Sequence, residues 1–202
     1  MDLGLKNKNA AITGSSQGIG FAIAEALAKE GCNLAISGRD AGRLEQARAE
    51  LAAHGTKVVA IETDFASESG CKTFADEAAA ALGGIDILVN NVGGMIPGTL
   101  DSLGEADWER VLNVNLMATV YTTKHAMAHL KKAKNAKILN VSGVSGKQLL
   151  PGSLTTTIPN AGIIGFSKVM AGELGAAGIT VNNICPGLTN TESWGPRAEA
   201  MA

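Results

Sequence analysis

Apolar positions along this chain fall into two alternating patterns. Residues 9–13, 32–37, 57–61, 85–90, 136–142 and 179–184 are short runs rich in Ala, Val, Ile and Leu. Runs of that length without strict polar alternation predict strands buried on both faces, the habit of a parallel sheet. Between them, residues 18–29, 40–53, 67–82, 105–130 and 159–174 carry apolar side chains at helical spacing. Asp40 stands where the N-cap of its helix belongs. Strand and helix in regular alternation predict an α/β fold, a doubly wound parallel sheet with helices on both faces. No repeat, low-complexity tract or linker interrupts the pattern, so residues 1–202 read as one domain. Residues from about 188 to 202 carry no further apolar run, which predicts an incomplete substrate-loop region and no last edge strand.

Composition narrows the classes without adding a site. Hydrophobic residues make up 46% and charged residues 18%, and the formal net charge is −2. That balance offers no basic field for nucleic acid or a membrane surface. No apolar run is long enough to span a bilayer, and residues 1–8 lack the layout of a signal peptide. Cys32, Cys71 and Cys185 are far apart and form no Cys-x-x-Cys, which argues against a disulfide framework or a zinc site. The expected setting is the reducing cytoplasm, with a small molecule as partner. His125 and His129 lie one helical turn apart, but no glutamate follows His125 and lysines flank the pair, so no metal is expected.

The first chemistry-bearing motif is Thr13-Gly14-Ser15-Ser16-Gln17-Gly18-Ile19-Gly20, between a predicted strand and a predicted helix. Glycines there permit a tight turn and a close approach of main-chain N–H groups to a pyrophosphate. The helix that follows aims its positive end at the same phosphates. Gly14, Ser16, Gln17, Gly18, Ile19 and Gly20 are therefore candidate contacts of a dinucleotide on a Rossmann-type sheet. The form of the dinucleotide turns on Ser37-Gly38-Arg39-Asp40 at the end of the second strand. An NAD-selective site places a carboxylate about 20 residues beyond the glycines to hold the ribose 2′-hydroxyl. Arg39 instead offers a planar cation suited to a 2′-phosphate, and Asp40 suits the helix cap better than the ribose. NADP(H) is expected over NAD(H).

That turn, with Asp64, Asn90-Asn91-Val92-Gly93, Asn113-Val114-Asn115 and Pro186-Gly187, resembles the short-chain dehydrogenase/reductase family, and most of all its carrier-protein ketoreductase-like members. The landmarks run in family order from Thr13 to Thr191. The resemblance implies that Asp64 contacts the adenine, with Phe65 beside the ring, and that Asn91, Val92 and Gly93 lie along the ribose. It implies that Pro186, Gly187 and Thr191 flank the nicotinamide and pyrophosphate, while Asn90 ties neighbouring strands. It also implies hydride transfer between the cofactor and a carbonyl or alcohol, and a homodimer or homotetramer paired through the long helices.

The resemblance fails where the proton is handled. The family uses a Ser, a Tyr with a Lys four residues on, and an Asn. Asn115 matches the Asn, but Gly143 stands at the serine position, Thr156 at the tyrosine and Asn160 at the lysine. The single tyrosine, Tyr121, lies on the preceding long helix, where it reads as packing. A phenol has a pKa near ~10 that an ammonium can lower, whereas a threonine hydroxyl is no useful acid and an asparagine carries no charge. Ser142 is a possible substitute, as are Ser145, Lys147 and a water held by Thr155, Thr156 and Thr157. The sequence thus predicts an oxidoreductase of weak or non-standard catalysis. The alternatives are a relative that binds nucleotide without turnover, as sensor or structural partner, and a lyase or isomerase on the same fold.

Overall fold

A computed structural model describes residues 2–148 and 152–191. Six strands form one parallel sheet in the order β3-β2-β1-β4-β5-β6. They are β1 (Asn9–Ile12), β2 (Asn33–Gly38), β3 (Val58–Glu62), β4 (Ile87–Asn90), β5 (Lys137–Val141) and β6 (Thr180–Ile184). The helices are α1 (Gly18–Lys29), α2 (Ala41–Ala52), α3 (Glu68–Leu82), α4 (Glu105–Leu112), α5 (Ala118–Leu130) and α6 (Leu154–Leu174). The chain leaves β1 toward β2 and β3, then returns to place β4 on the other side of β1. That reversal opens a crevice beyond the carboxyl ends of β1 and β4, where doubly wound sheets bind ligands.

The two-residue pleat divides the core. Ala10, Ile12, Leu34, Ile36, Ile87 and Val89 face α1 and α2, where Ala24, Ala28, Leu44, Ala47 and Leu51 are buried. Their neighbours Ala11, Ala35, Leu88 and Ile138 face the opposite side, against Phe74 and Ala78 of α3 and Ala126 and Leu130 of α5. Both faces of each central strand are covered, which is why the strands read as continuous apolar runs. Tyr121 packs against the second of these cores. Desolvation lifts the Cys32 thiol to about 11 and raises that of Cys71, so both stay neutral as small apolar fillers of the core. Among the described residues no helix is long and apolar enough to cross a membrane.

Two helices depart from the sequence expectation. The stretch expected as one helix over 105–130 is interrupted by a π-helical turn at Asn113–Met117. There the Asn115 side chain donates to the Val111 carbonyl at 2.7 Å, a side-chain bond inside the main-chain ladder. The last helix was expected from Pro159 but begins at Leu154, with Pro159 inside it. Proline's fixed φ is helical, and so near the helix start it forfeits a single main-chain bond. Strand ends differ from expectation by a residue or two, the usual uncertainty of boundaries. Asp40 does cap α2, accepting from the Arg43 N–H at 2.9 Å. Among the described residues β6 pairs only with β5; the expected lack of a further strand concerns residues that, from 192 on, lie outside the described ones.

Candidate functional site

The turn after β1 is built by short-range polar bonds. Gly14 and Gly18 take left-handed φ of 62° and 60°, which fold the chain back from strand to helix. The Ser37 hydroxyl accepts from Gly14 N–H at 3.0 Å, and Ser15 Oγ donates to the Ile12 carbonyl at 2.8 Å, pinning the turn to β1 and β2. Thr13 Oγ1 accepts from the N–H groups of Asn91 and Val92 at 2.9 and 3.0 Å. Asn91 Nδ2 returns a bond to the Gly14 carbonyl at 2.8 Å. A Cβ on Gly20 would run into that carbonyl and that amide, so only glycine lets α1 start this close to β1 and β4. Gln17 holds the N-cap position of α1, yet its side chain makes no capping bond. The first N–H groups of α1 thus face the crevice with no side chain of the cap satisfying them, which is the arrangement an anion completes.

A cavity of about 430 Å³ lies over this turn. It brings together Gly14, Ser16, Gln17, Gly18, Ile19, Gly20, Arg39, Asp64, Phe65, Asn91, Val92, Gly93, Gly187 and Thr191, every candidate cofactor contact except Pro186. Pro186 lines an adjoining apolar groove beside Phe21 and Ile23 of α1. Arg39 is exposed at the rim, and Asp64 is exposed and accepts from the Ala66 N–H at 3.0 Å. The Phe65 side chain is 3% exposed and meets Phe74 edge-on with ring centres 5.4 Å apart. Its ring is part of the core, a contact of about 0.5–1.5 kcal/mol.

A second cavity of about 620 Å³ continues from Asn91–Gly93 toward Asn115, Ser142, Thr156 and Asn160, with Met95, Ile96, Val111 and Ile163 on its apolar wall. Asn115 is 7% exposed and fully bonded. Its Oδ1 accepts from Gly94 N–H and its Nδ2 donates to Gly94 O, both at 3.0 Å, which fastens the loop after β4 to the π-helical turn. Across the cavity, Asn160 Nδ2 donates to Ser145 Oγ at 3.0 Å, and Ser145 Oγ donates to Thr156 Oγ1 at 3.4 Å. Thr156 Oγ1 in turn donates to the Ser153 carbonyl at 3.0 Å. A Cβ on Gly143 would stand 2.7 Å from Asn160 Nδ2, so the amide occupies the space a side chain at 143 would need. Ser142 Oγ is turned to β6, donating to Asn183 Oδ1 at 2.8 Å. Lys147 is exposed. Thr155 Oγ1 is tied to the Ile96 carbonyl at 2.8 Å. Far from the cleft, His125 bonds Glu68 at 3.0 Å, and Lys124 with His125 lowers the Glu68 carboxyl's pKa. Among the described residues no three metal-binding side chains cluster.

Beneath the cleft Asn90 ties neighbouring strands as expected, through a ladder whose other members, Asn140, Asn183 and Ser167, the sequence did not single out. Asn90, Asn140 and Asn183 sit side by side in register on β4, β5 and β6. Asn90 Nδ2 donates to Asn140 Oδ1 at 2.8 Å, and Asn140 Nδ2 donates to Ser167 Oγ of α6 at 2.8 Å. Asn183 Nδ2 reaches the same hydroxyl at 3.3 Å. This ladder, buried at Asn90, Asn140 and Ser167, ties the carboxyl ends of three strands to α6. Its signal was an asparagine near the end of each of three apolar runs.

A family model described as short chain dehydrogenase matches residues 8–202. The chain belongs to the short-chain dehydrogenase family. It is 35% identical over 193 residues to a 3-oxoacyl-acyl-carrier-protein reductase of Aquifex aeolicus, covering 95% of this chain and 78% of that protein. It is also 35% identical over 194 residues to the hydroxy(phenyl)methylsuccinyl-CoA dehydrogenase subunit BbsD of Thauera aromatica, covering 95% of this chain and 77% of that protein. Among solved structures, L-sorbose reductase of Gluconobacter frateurii, complexed with NADPH and L-sorbose, superposes with a TM-score of 0.96 at 32% identity, over 100% of this chain and 77% of that one. A short chain dehydrogenase of Burkholderia cenocepacia in complex with NADP gives 0.91 at 35% identity, over 97% and 81%.

Proposed function

We propose that this chain is an NADP(H)-binding oxidoreductase for a small carbonyl or alcohol substrate, with a proton-handling end that departs from its family. The observation that carries the reading is the uncapped start of α1 behind a turn in which Gly20 admits no side chain, opening on a cleft with Arg39 at its rim. Main-chain N–H groups there suit a pyrophosphate, and Arg39 suits a 2′-phosphate. The two solved relatives named with NADPH and NADP support the same choice. When bound, the nicotinamide supplies the hydride chemistry.

The chain's own groups at the reacting end are Asn115, Ser145, Thr156 and Asn160, none of which titrates near neutrality. We assign Gly143, Thr156 and Asn160 to the family's Ser, Tyr and Lys positions. Loss of a placed acid or base removes on the order of 10²–10⁴ in rate. Ser145 and Thr156 hold each other and Asn160 in a neutral relay, which supports slow, solvent-dependent proton transfer and a rate without a bell-shaped pH dependence. The closed bonding of that relay also favours a second reading, a nucleotide-binding relative that serves as sensor or partner subunit without turnover. Dimer or tetramer formation through the long helices belongs to either reading.

The test titrates NADPH and NADH by fluorescence and assays a carbonyl panel with wild type and a Gly143→Ser/Thr156→Tyr/Asn160→Lys variant. Comparable NADPH binding by both proteins is expected, with turnover about 10²–10⁴-fold faster in the variant. Equal turnover would refute the assigned departure; binding with no wild-type turnover would select the second reading.

A further inference from the structure

The second cavity is bordered by a cation that the proton-handling groups do not use. Arg110, in the last turn of α4, lines it with Met95, Ile96, Val111, Asn115 and Thr156. It does not line the nucleotide cavity, whereas Arg39 borders both. Asp107, one turn earlier on the same helix, is the acid best spaced to pair with Arg110. Its carboxylate instead accepts from the Gly104 N–H at 3.0 Å, at the start of the helix. Among the described residues Arg110 forms no ion pair. No aspartate or glutamate lines the cavity. The frame around this cation is fixed, because the loop after β4 is tied at Gly94 by Asn115 and at the Ile96 carbonyl by Thr155. Between those ties Met95 remains 40% exposed, an apolar surface in the same cavity as an unneutralised guanidinium.

We propose that Arg110 selects a carbonyl or alcohol substrate with an anionic end, a carboxylate or a phosphate; this rests on the oxidoreductase reading above. A guanidinium offers paired N–H donors that match either oxyanion. Arg110 precedes Asn115 by five residues, about 7–8 Å along a helix, so the anion and the reacting carbon belong to opposite ends of the substrate. Met95, Ile96, Val111 and Ile163 suit a short apolar spacer between them. A neutral substrate of the same shape gains nothing from the guanidinium, so selection is by charge. Arg110 is exposed, which keeps its effect moderate and sensitive to salt.

The test is calorimetric binding, with and without NADP+, which reads the site whether or not turnover occurs. The probes are 4-oxopentanoate against its methyl ester, and dihydroxyacetone phosphate against dihydroxyacetone, with wild type, Arg110→Gln and Arg110→Lys. Wild type is expected to bind at least one anionic probe about tenfold more tightly than its neutral partner, and the pair that shows it identifies the anion. Arg110→Gln is expected to erase that preference while leaving the neutral probes and NADPH within about twofold, and Arg110→Lys to restore part of it. In turnover the loss falls on KM, with kcat within about twofold. No anionic preference in wild type, or one that survives Arg110→Gln, overturns the role of Arg110 and leaves the oxidoreductase reading standing. Weakened NADPH binding in Arg110→Gln gives the cation to the cofactor and overturns the role equally. Anion selection lost in Arg110→Gln, with no turnover of any carbonyl by wild type, upholds Arg110 as the anion contact and overturns the oxidoreductase reading instead.

Discussion

The two ends of the cleft are built on opposite rules. At the nucleotide end the working groups are main-chain amides, fixed by Thr13, Asn91 and glycines that admit no Cβ, and open toward the cleft. At the reacting end the working groups are side chains, and Ser145, Thr156 and Asn160 spend their hydrogen bonds largely on one another. On the reading proposed above, the first arrangement awaits an anion, whereas the second has its hydrogen bonds nearly complete without a ligand. Both halves open on a cavity. On that same reading, a binding half with free main-chain donors would hold a dinucleotide well, and a chemical half whose side chains pair with one another would handle protons poorly. Binding and turnover should therefore respond to different residues.

The largest expected effect comes from breaking the nucleotide end. In Gly20→Ala the new methyl meets the Gly14 carbonyl and the Asn91 amide, so the turn must shift away from the start of α1. Overpacking against main chain costs about 1–3 kcal/mol of stability, and losing the phosphate donors lowers NADPH affinity by roughly a hundredfold or more. Thermal melts and fluorescence titration measure both. Affinity close to wild type would mean that these amides are not what holds the nucleotide.

A smaller effect is expected beneath the reacting end. Asn140 is fully buried and bridges Asn90 and Ser167. Asn140→Leu leaves their polar atoms to find other partners in the core, at a cost of about 1–3 kcal/mol. Urea unfolding should show that loss, while NADPH affinity in the folded protein changes by less than about threefold, since β1 and its turn do not touch Asn140. A larger loss of affinity than of stability would couple the two ends after all.

These features were unequally legible in the sequence. Helix α1 was readable because glycines and an Ala-rich amphipathic run mark it locally, and α2 because Asp40 is a local cap. The π-helical turn was not, because Asn115 makes it only by bonding Val111 and the Gly94 loop at once, and that loop is remote in the chain. The candidate cofactor residues converge because each follows the carboxyl end of a strand, a consequence of topology. What sequence could not supply was side-chain direction: that Arg43 turns to Gln17, that Ser142 turns to β6, and that Phe65 buries its ring. Periodicity names the face of an element, but rotamers are chosen by the neighbours.

The smallest expected effect is the sharpest probe of the reacting end, because its sign changes with context. Gly143 has an extended backbone, φ −149° and ψ 157°, which any residue adopts. With no obstacle, Gly143→Ala would stabilise by about 0.4–1 kcal/mol through the unfolded chain. In wild type the methyl would stand 2.7 Å from Asn160 Nδ2, and the amide must swing off Ser145 to make room, losing a bond of about 1 kcal/mol. Gly143→Ala is therefore expected to be neutral to destabilising in wild type and stabilising in an Asn160→Ala background. The coupling in such a cycle should be on the order of 1 kcal/mol, with NADPH affinity steady throughout. Additive effects would mean that Asn160 does not fill the space over Gly143. The same contact dictates that a side chain fits at position 143 only when the Asn160 amide moves, so residues 143 and 160 form one structural unit.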